Sequence, residues 1–74
     1  MKKLIKKLLE IDGICRLDVE KKEIDVMSGI NKDVLQQIGD ALVDCKGWTV
    51  NIIVPHFEFD QELFREVIRR AFNL

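Results

Sequence analysis

Residues 15–27, Cys-Arg-Leu-Asp-Val-Glu-Lys-Lys-Glu-Ile-Asp-Val-Met, decide how this chain is read. Cys15, Leu17 and Val19 alternate with Arg16, Asp18 and Glu20. After Lys21-Lys22 the alternation resumes, with Ile24 and Val26 between Glu23, Asp25 and Met27. Side chains of a strand point alternately to its two faces, so each run has one apolar and one polar face. Two such runs around a short polar break make a hairpin. Placing the apolar faces together pairs Val19 with Ile24, Leu17 with Val26 and Cys15 with Ser28. Lys-Lys lacks the residues of a tight type I′ turn, which predicts a four-residue loop.

Helical periodicity flanks the hairpin on both sides. Leu4, Ile5, Leu8 and Leu9 form one face of a first helix, with Lys2, Lys3, Lys6, Lys7 and Glu10 opposite, and Asp12-Gly13 closes it. Beyond the hairpin, Ser28-Gly29 ends the strand and Asn31 is placed to cap a second helix, with Ile30 and Leu35 as its hydrophobic staple. The stripe of that helix is Val34, Leu35, Ile38, Leu42 and Cys45, and Gly47 is the expected stop, which would bring Val43 against Trp48. Trp48, Val50, Ile52 and Val54 alternate with Thr49, Asn51 and Ile53 in a third strand that Pro55 ends. Asp60 then caps a third helix with Phe59 and Phe64 as staple, and its stripe is Leu63, Phe64, Val67, Ile68, Ala71 and Phe72.

The element order is therefore αββαβα in one α+β domain spanning residues 1–74. Strand two, helix two and strand three make a right-handed βαβ crossover with strands two and three parallel. Strand one fits between them, giving a three-stranded mixed sheet of order 2-1-3 with the helices on its apolar face. Over residues 2–54 the order αββαβ resembles that of the BON domain and of the ring-building modules of secretion machinery. Val26-Met27-Ser28-Gly29 and Gly47-Trp48-Thr49-Val50 are loosely similar to the two BON glycine turns. The likeness is confined to element order and two short turns and assigns no family.

Composition sets the outer bounds. A 74-residue chain has room for one core. With 47% hydrophobic and 34% charged residues it is too apolar for disorder and too charged for a membrane span. The opening Met-Lys-Lys-Leu-Ile-Lys-Lys has the charge of a signal peptide, but Lys6, Lys7 and Glu10 interrupt any apolar stretch, so it reads as part of the fold. Two cysteines are too few for a disulfide scaffold, and Cys15 and Cys45 are expected to stay unpaired. A cytoplasmic location follows as the default.

Inventory excludes most catalytic signatures. One His and one Ser rule out a His-Glu-x-x-His zinc helix and a nucleophile elbow, and Gly13, Gly29, Gly39 and Gly47 match no phosphate-binding loop. No metal and no cofactor are expected. The sharpest enzymatic idea is a Cys15–His56 dyad oriented by Glu58, weighed against the placement of Cys15 on the core face.

Two candidate surfaces remain. The sheet face turned from the helices would show Ile14, Arg16, Asp18, Asp25, Met27, Asn51 and Ile53, with Asp18 and Asp25 opposed as a like-charge pair. That pair is either solvated or a site for a cation or a basic partner. The second surface is basic. Residues 1–22 carry a net charge of +3, residues 23–62 of −6 and residues 63–74 of +2, within an overall −1. Threading the chain through the sheet gathers Lys2, Lys3, Lys6, Lys21, Lys22, Lys46, Arg69 and Arg70 at the hairpin end, and Asp12, Asp33, Glu58, Asp60 and Glu62 at the other. Bases at the end of a helix suit its dipole, whereas Lys2 and Lys3 sit at the start of theirs, where it disfavours them. The leading functional reading is a non-catalytic interaction module that binds another protein, as a regulator, adaptor or inhibitor, with self-association open and no membrane partner. The alternatives are nucleic-acid binding through the basic ends, against which a pI of 5.8 counts, and a small Cys/His enzyme or enzyme subunit.

Overall fold

A computed structural model describes residues 2–54 and 58–74 of the chain. Three helices and three strands follow in the expected order: α1 (Lys2–Leu9), β1 (Ile14–Asp18), β2 (Glu23–Met27), α2 (Lys32–Ala41), β3 (Thr49–Ile53) and α3 (Gln61–Phe72). The fold is α+β with a mixed sheet, as the alternation of periods implies. Its strand order is β1-β2-β3, which corrects the expected 2-1-3. β2 is the central strand, antiparallel to β1 and parallel to β3. The physical reason lies in its side chains. Ile24 and Val26 are completely buried beneath the helices, whereas Val50 and Ile52 on the edge strand β3 stay exposed on the same face. On the other face Asp25 requires a donor from each neighbour.

The hairpin register also differs from expectation. Leu17 faces Ile24, Arg16 faces Asp25 and Asp18 faces Glu23, two residues away from the pairing of Leu17 with Val26. Because the slip is even, every side chain in this stretch stays on its expected face. Two interactions favour the observed register. Asp18 ends the strand by accepting a hydrogen bond from the Lys21 N–H at 3.0 Å, which closes the four-residue loop 19–22. Arg16 then lies opposite Asp25, so an ion pair replaces the opposed aspartates. At Cys15 the ladder is bulged, and Ile14 pairs with Val26. The bulge turns Ile14 into the core, where it is 1% exposed, and removes it from the open face.

Leu4, Leu8 and Ile11 from the first helix and its exit meet Ile14, Ile24, Val26 and Ile38 in one apolar cluster. α2 is capped as expected, with Asn31 accepting from the Val34 N–H. It ends at Ala41, well short of Gly47. Gly39 weakens the helix from within, and its last turn carries Asp40 and no base, an arrangement the helix dipole opposes. Leu42 and Cys45 still pack on the core from the turns that follow, whereas Val43 is exposed and makes no staple with Trp48. Leu35 is also more exposed than its place in the stripe implied.

α3 begins at Asp60, which accepts from the Leu63 N–H, and the Phe59 and Phe64 rings pack 5.7 Å apart as the expected staple. It closes on Asn73 in the left-handed conformation, with the Leu74 N–H donating to the Arg69 carbonyl at 2.9 Å. No residue of α3 is fully buried. Gln61, Phe64, Arg65, Ile68 and Phe72 form its more sheltered side, so the inward face is rotated from the expected stripe, leaving Leu63, Val67 and Ala71 outside.

Gly13 sits where these parts join. Its φ of +102° is open to glycine, and a Cβ there would stand 2.8 Å from the Ile30 Cγ2. Gly29 has a similar φ of +88° with nothing near. Gly29→Ala should therefore cost backbone strain alone, about 1 kcal/mol, or about 4–8 °C in Tm for a domain of this size. Gly13→Ala adds a collision and should cost roughly 2–4 kcal/mol. Thermal unfolding of the two variants checks the ranking, and equal losses would contradict the close approach of Ile30.

Candidate functional site

The open sheet face is organised around one cation. Arg16 on β1 donates from Nε to Asp25 at 2.6 Å and from Nη2 to Glu23 at 2.9 Å, and its Nη1 lies 3.6 Å from Asp18. From the other side of β2, Asn51 donates to the remaining Asp25 oxygen at 3.1 Å. Arg16, Asp25 and Asn51 occupy one row across the three strands, so the strand order and register alone bring them together. Asp25 is 9% exposed. The Arg16 hydrogen bond holds its carboxyl below the ordinary value of 3.8 against the opposing effect of burial, with Asn51 assisting. Arg16 is in turn held still further above its already high value by Asp25 and Glu23.

These contacts correct the expected Asp18–Asp25 pair. Asp25 is directly opposed by Arg16, Asp18 is opposed by Glu23, and Arg16 bridges them all. Asp25 already has partners on both sides of its carboxylate and is not free for a cation. Met27 and Ile53 remain on this face as a half-buried cross-strand pair. The candidate open face thus loses Ile14 to the core and becomes a ladder of satisfied polar groups with one modest apolar end.

Cys15 is 8% exposed, and its thiol points to the Asp25 carbonyl at 3.5 Å. Burial raises its pKa, and the Asp25 charge adds to the effect. A buried thiol held protonated is a poor nucleophile. His56, and with it the Cys15–His56 dyad, lies outside the described residues. Both cysteines are free thiols.

The basic candidates are drawn from four separate segments. Lys22 of the hairpin loop and Lys46 of the α2–β3 connection line one recess of about 250 Å³ with Leu4, Cys45 and Trp48. The Thr49 N–H donates to the Lys22 carbonyl at 2.8 Å, which fixes the hairpin tip beside the start of β3. Leu4 places the beginning of α1, with Lys2 and Lys3, at the same end. On the flank, Lys6 and Arg69 line an open cleft of about 480 Å³ between α1 and α3, together with Leu9, Glu10, Arg65 and Leu74. Arg70, by contrast, is 3.1 Å from Glu66 one helical turn back. No side chain of the described residues forms an ion pair with Lys2, Lys3, Lys6, Lys21, Lys22, Lys46 or Arg69. At the opposite end, Glu58, Asp60 and Glu62 border a shared recess, and Asp12 and Glu62 converge on Arg65.

Arg65 is the residue that sequence reasoning missed. Its Nε donates to the Leu9 carbonyl at 2.8 Å and its other nitrogens reach Asp12 and Glu62, so it joins α3 to the end of α1. Gln61 does the same through its Oε1, which accepts the Gly13 N–H at 3.2 Å. The spacing of Gln61, Arg65, Ile68 and Phe72 was the available signal, since it marks a helix face adjoining Phe64. Comparison with protein-family models, curated proteins and solved structures yields no match to this chain.

Two outcomes test this geometry. Because the Asp25 pKa is lowered in the fold, its stabilisation is complete above the unfolded value of 3.8 and is lost as pH falls through the folded value. Asp25→Asn should therefore reduce stability at neutral pH and flatten the loss of stability that the unmodified chain shows below about pH 4; parallel pH profiles would contradict the pairing. Iodoacetamide at pH 8 should modify Cys45 well before Cys15, with Cys15 reacting fully only in denaturant. Mass analysis of timed samples reads the order directly.

Proposed function

We propose that the chain is a non-catalytic interaction module that binds another protein through its basic end. The observation that carries this reading is the convergence of unpaired cations from separate elements: Lys22 and Lys46 beside the start of α1, and Lys6 with Arg69 across the α1–α3 cleft. Arg16 and Arg65, by contrast, are answered internally, by three and two carboxylates respectively. Lys2 and Lys3 add to the case, since they stand in a first turn with no acid, where the helix dipole opposes them. Helix stability is no reason for that placement, whereas an acidic surface on a partner is.

The recesses at the basic end are shallow and open, which suits contact with a surface more than enclosure of a small molecule. Two unpaired thiols suit a reducing compartment. No helix among the described residues is long and apolar enough to cross a membrane. The complementary partner carries clustered Asp and Glu, because long-range attraction between opposite charges speeds encounter and fixes orientation.

The test is affinity purification from the native host with the unmodified chain and with a variant in which Lys2, Lys3, Lys21 and Lys22 are Ser. These side chains lie outside the core, so the variant should keep its circular dichroism spectrum. Partner recovery should fall by roughly tenfold or more in the variant, fall with added salt for the unmodified chain, and survive nuclease treatment. Recovery indifferent to both substitution and salt would sink the proposal, and recovery abolished by nuclease would transfer it to a nucleic acid.

A further inference from the structure

β3 is an edge strand whose outer side is unpaired among the described residues. Its hydrogen bonds show which residues look outward. The Thr49 N–H donates to the Lys22 carbonyl, and the Ile53 carbonyl accepts from the Ser28 N–H at 2.7 Å. Thr49, Asn51 and Ile53 therefore turn their backbone groups toward β2, and alternation leaves those of Val50, Ile52 and Val54 directed away from the sheet. The same three residues carry exposed apolar side chains, at 37%, 62% and 67%.

Open edges are ordinarily guarded by a charge, a proline or a bulge. β1, the other edge, has all but the proline, with Arg16, Asp18 and the bulge at Cys15. β3, Thr-Val-Asn-Ile-Ile, has none of the three within it, and the proline at position 55 comes only after Val54. Its outward residues and the one that follows the strand form a palindrome, Val50-x-Ile52-x-Val54. Run antiparallel against itself about Ile52, the strand places Val50 opposite Val54 of a second copy and Ile52 opposite Ile52. In that register each outward N–H faces an outward carbonyl and each exposed apolar side chain an apolar neighbour.

Charge supports the same arrangement. One end of β3 adjoins Lys22 and Lys46, and the chain beyond its other end carries Glu58, Asp60 and Glu62. An antiparallel pairing sets the basic end of each copy toward the acidic end of the other. We propose that β3 is a self-association edge, through which two copies of this chain join about a twofold axis at Ile52 into one continuous sheet. A two-strand seam buries less than the roughly 800 Å² per partner of a standard interface, so the dimer is weak and concentration-dependent. This proposal rests on the edge of β3 and does not require the partner proposed for the basic end, although Lys22 and Lys46 bear on both.

The measurement is amide exchange by NMR on the intact chain, together with sedimentation velocity, from about 10 µM to about 1 mM to bracket a weak association. In the monomer the Asn51 and Ile53 amides should be protected and those of Val50, Ile52 and Val54 should exchange freely. With rising concentration the sedimenting mass should approach twice the monomer mass, and exchange at Val50, Ile52 and Val54 should slow by about tenfold or more as their amides become hydrogen-bonded. Ile52→Lys places a charge at an exposed site, should leave the fold intact by circular dichroism, and should remain monomeric throughout. A wild-type chain that stays monomeric at the highest concentration overturns the proposal. So does a dimer that persists in Ile52→Lys, or one that forms while those three amides remain unprotected.

Discussion

Gly13 carries the constraint on which the assembly of this chain depends. Its carbonyl accepts the Met27 N–H at 2.9 Å and so ties the beginning of β1 to the end of β2. Its own N–H goes to Gln61 at the start of α3, and the space where a Cβ would stand is closed by Ile30, just ahead of the α2 cap. One residue thus sets the exit of α1, the closure of the hairpin base, the entry to α2 and the docking of α3. The geometry works because the position has a positive φ and no side chain, a combination available to glycine at no steric cost.

A 74-residue chain has little surface to bury, and this one divides the work between the two faces of β2. Ile24 and Val26 are lost to water on the helical side, and on the other side Asp25 is held by one donor from each neighbouring strand. The apolar face supplies the driving force, and the polar face supplies selectivity among registers. A shift of either neighbour by two residues would keep the apolar pattern intact but would leave the Asp25 carboxylate without its donors. A sheet with so few strands gains from that restriction, because its apolar side chains alone tolerate several alignments.

The periodicity of the chain was enough to read the six elements, two of the helix caps and the membership of β2 in the core. Asn31 and Asp60 cap as their types and positions imply, since capping is local chemistry. The strand order was not legible, because Arg16, Asp25 and Asn51 reveal their common row only once three strands are aligned. The bulge at Cys15 was hidden for a related reason: strict alternation assigns Ile14 to the open face, and only the demand of the core for another large side chain explains the extra residue. The cleft between α1 and α3 was not legible, since the Arg65 contact to the Leu9 carbonyl spans 56 residues of sequence. The end of α2 was misread because Gly47 resembles a stop signal more strongly than Asp40 does.

The attachment of α3 has a consequence for how the domain holds together. The helix is fastened by the polar contacts of Gln61 and Arg65 and by the partly sheltered rings of Phe64 and Phe72, and it contributes no fully buried side chain. The sheet with α1 and α2, by comparison, contains the entire fully buried cluster. Few buried apolar contacts mark an element that opens locally before the rest, so α3 is expected to detach for less free energy than the sheet needs to melt. Its departure would bare the flank of α1 at Leu9 while the strands stay paired, so the cleft of Lys6 and Arg69 exists only while α3 is docked.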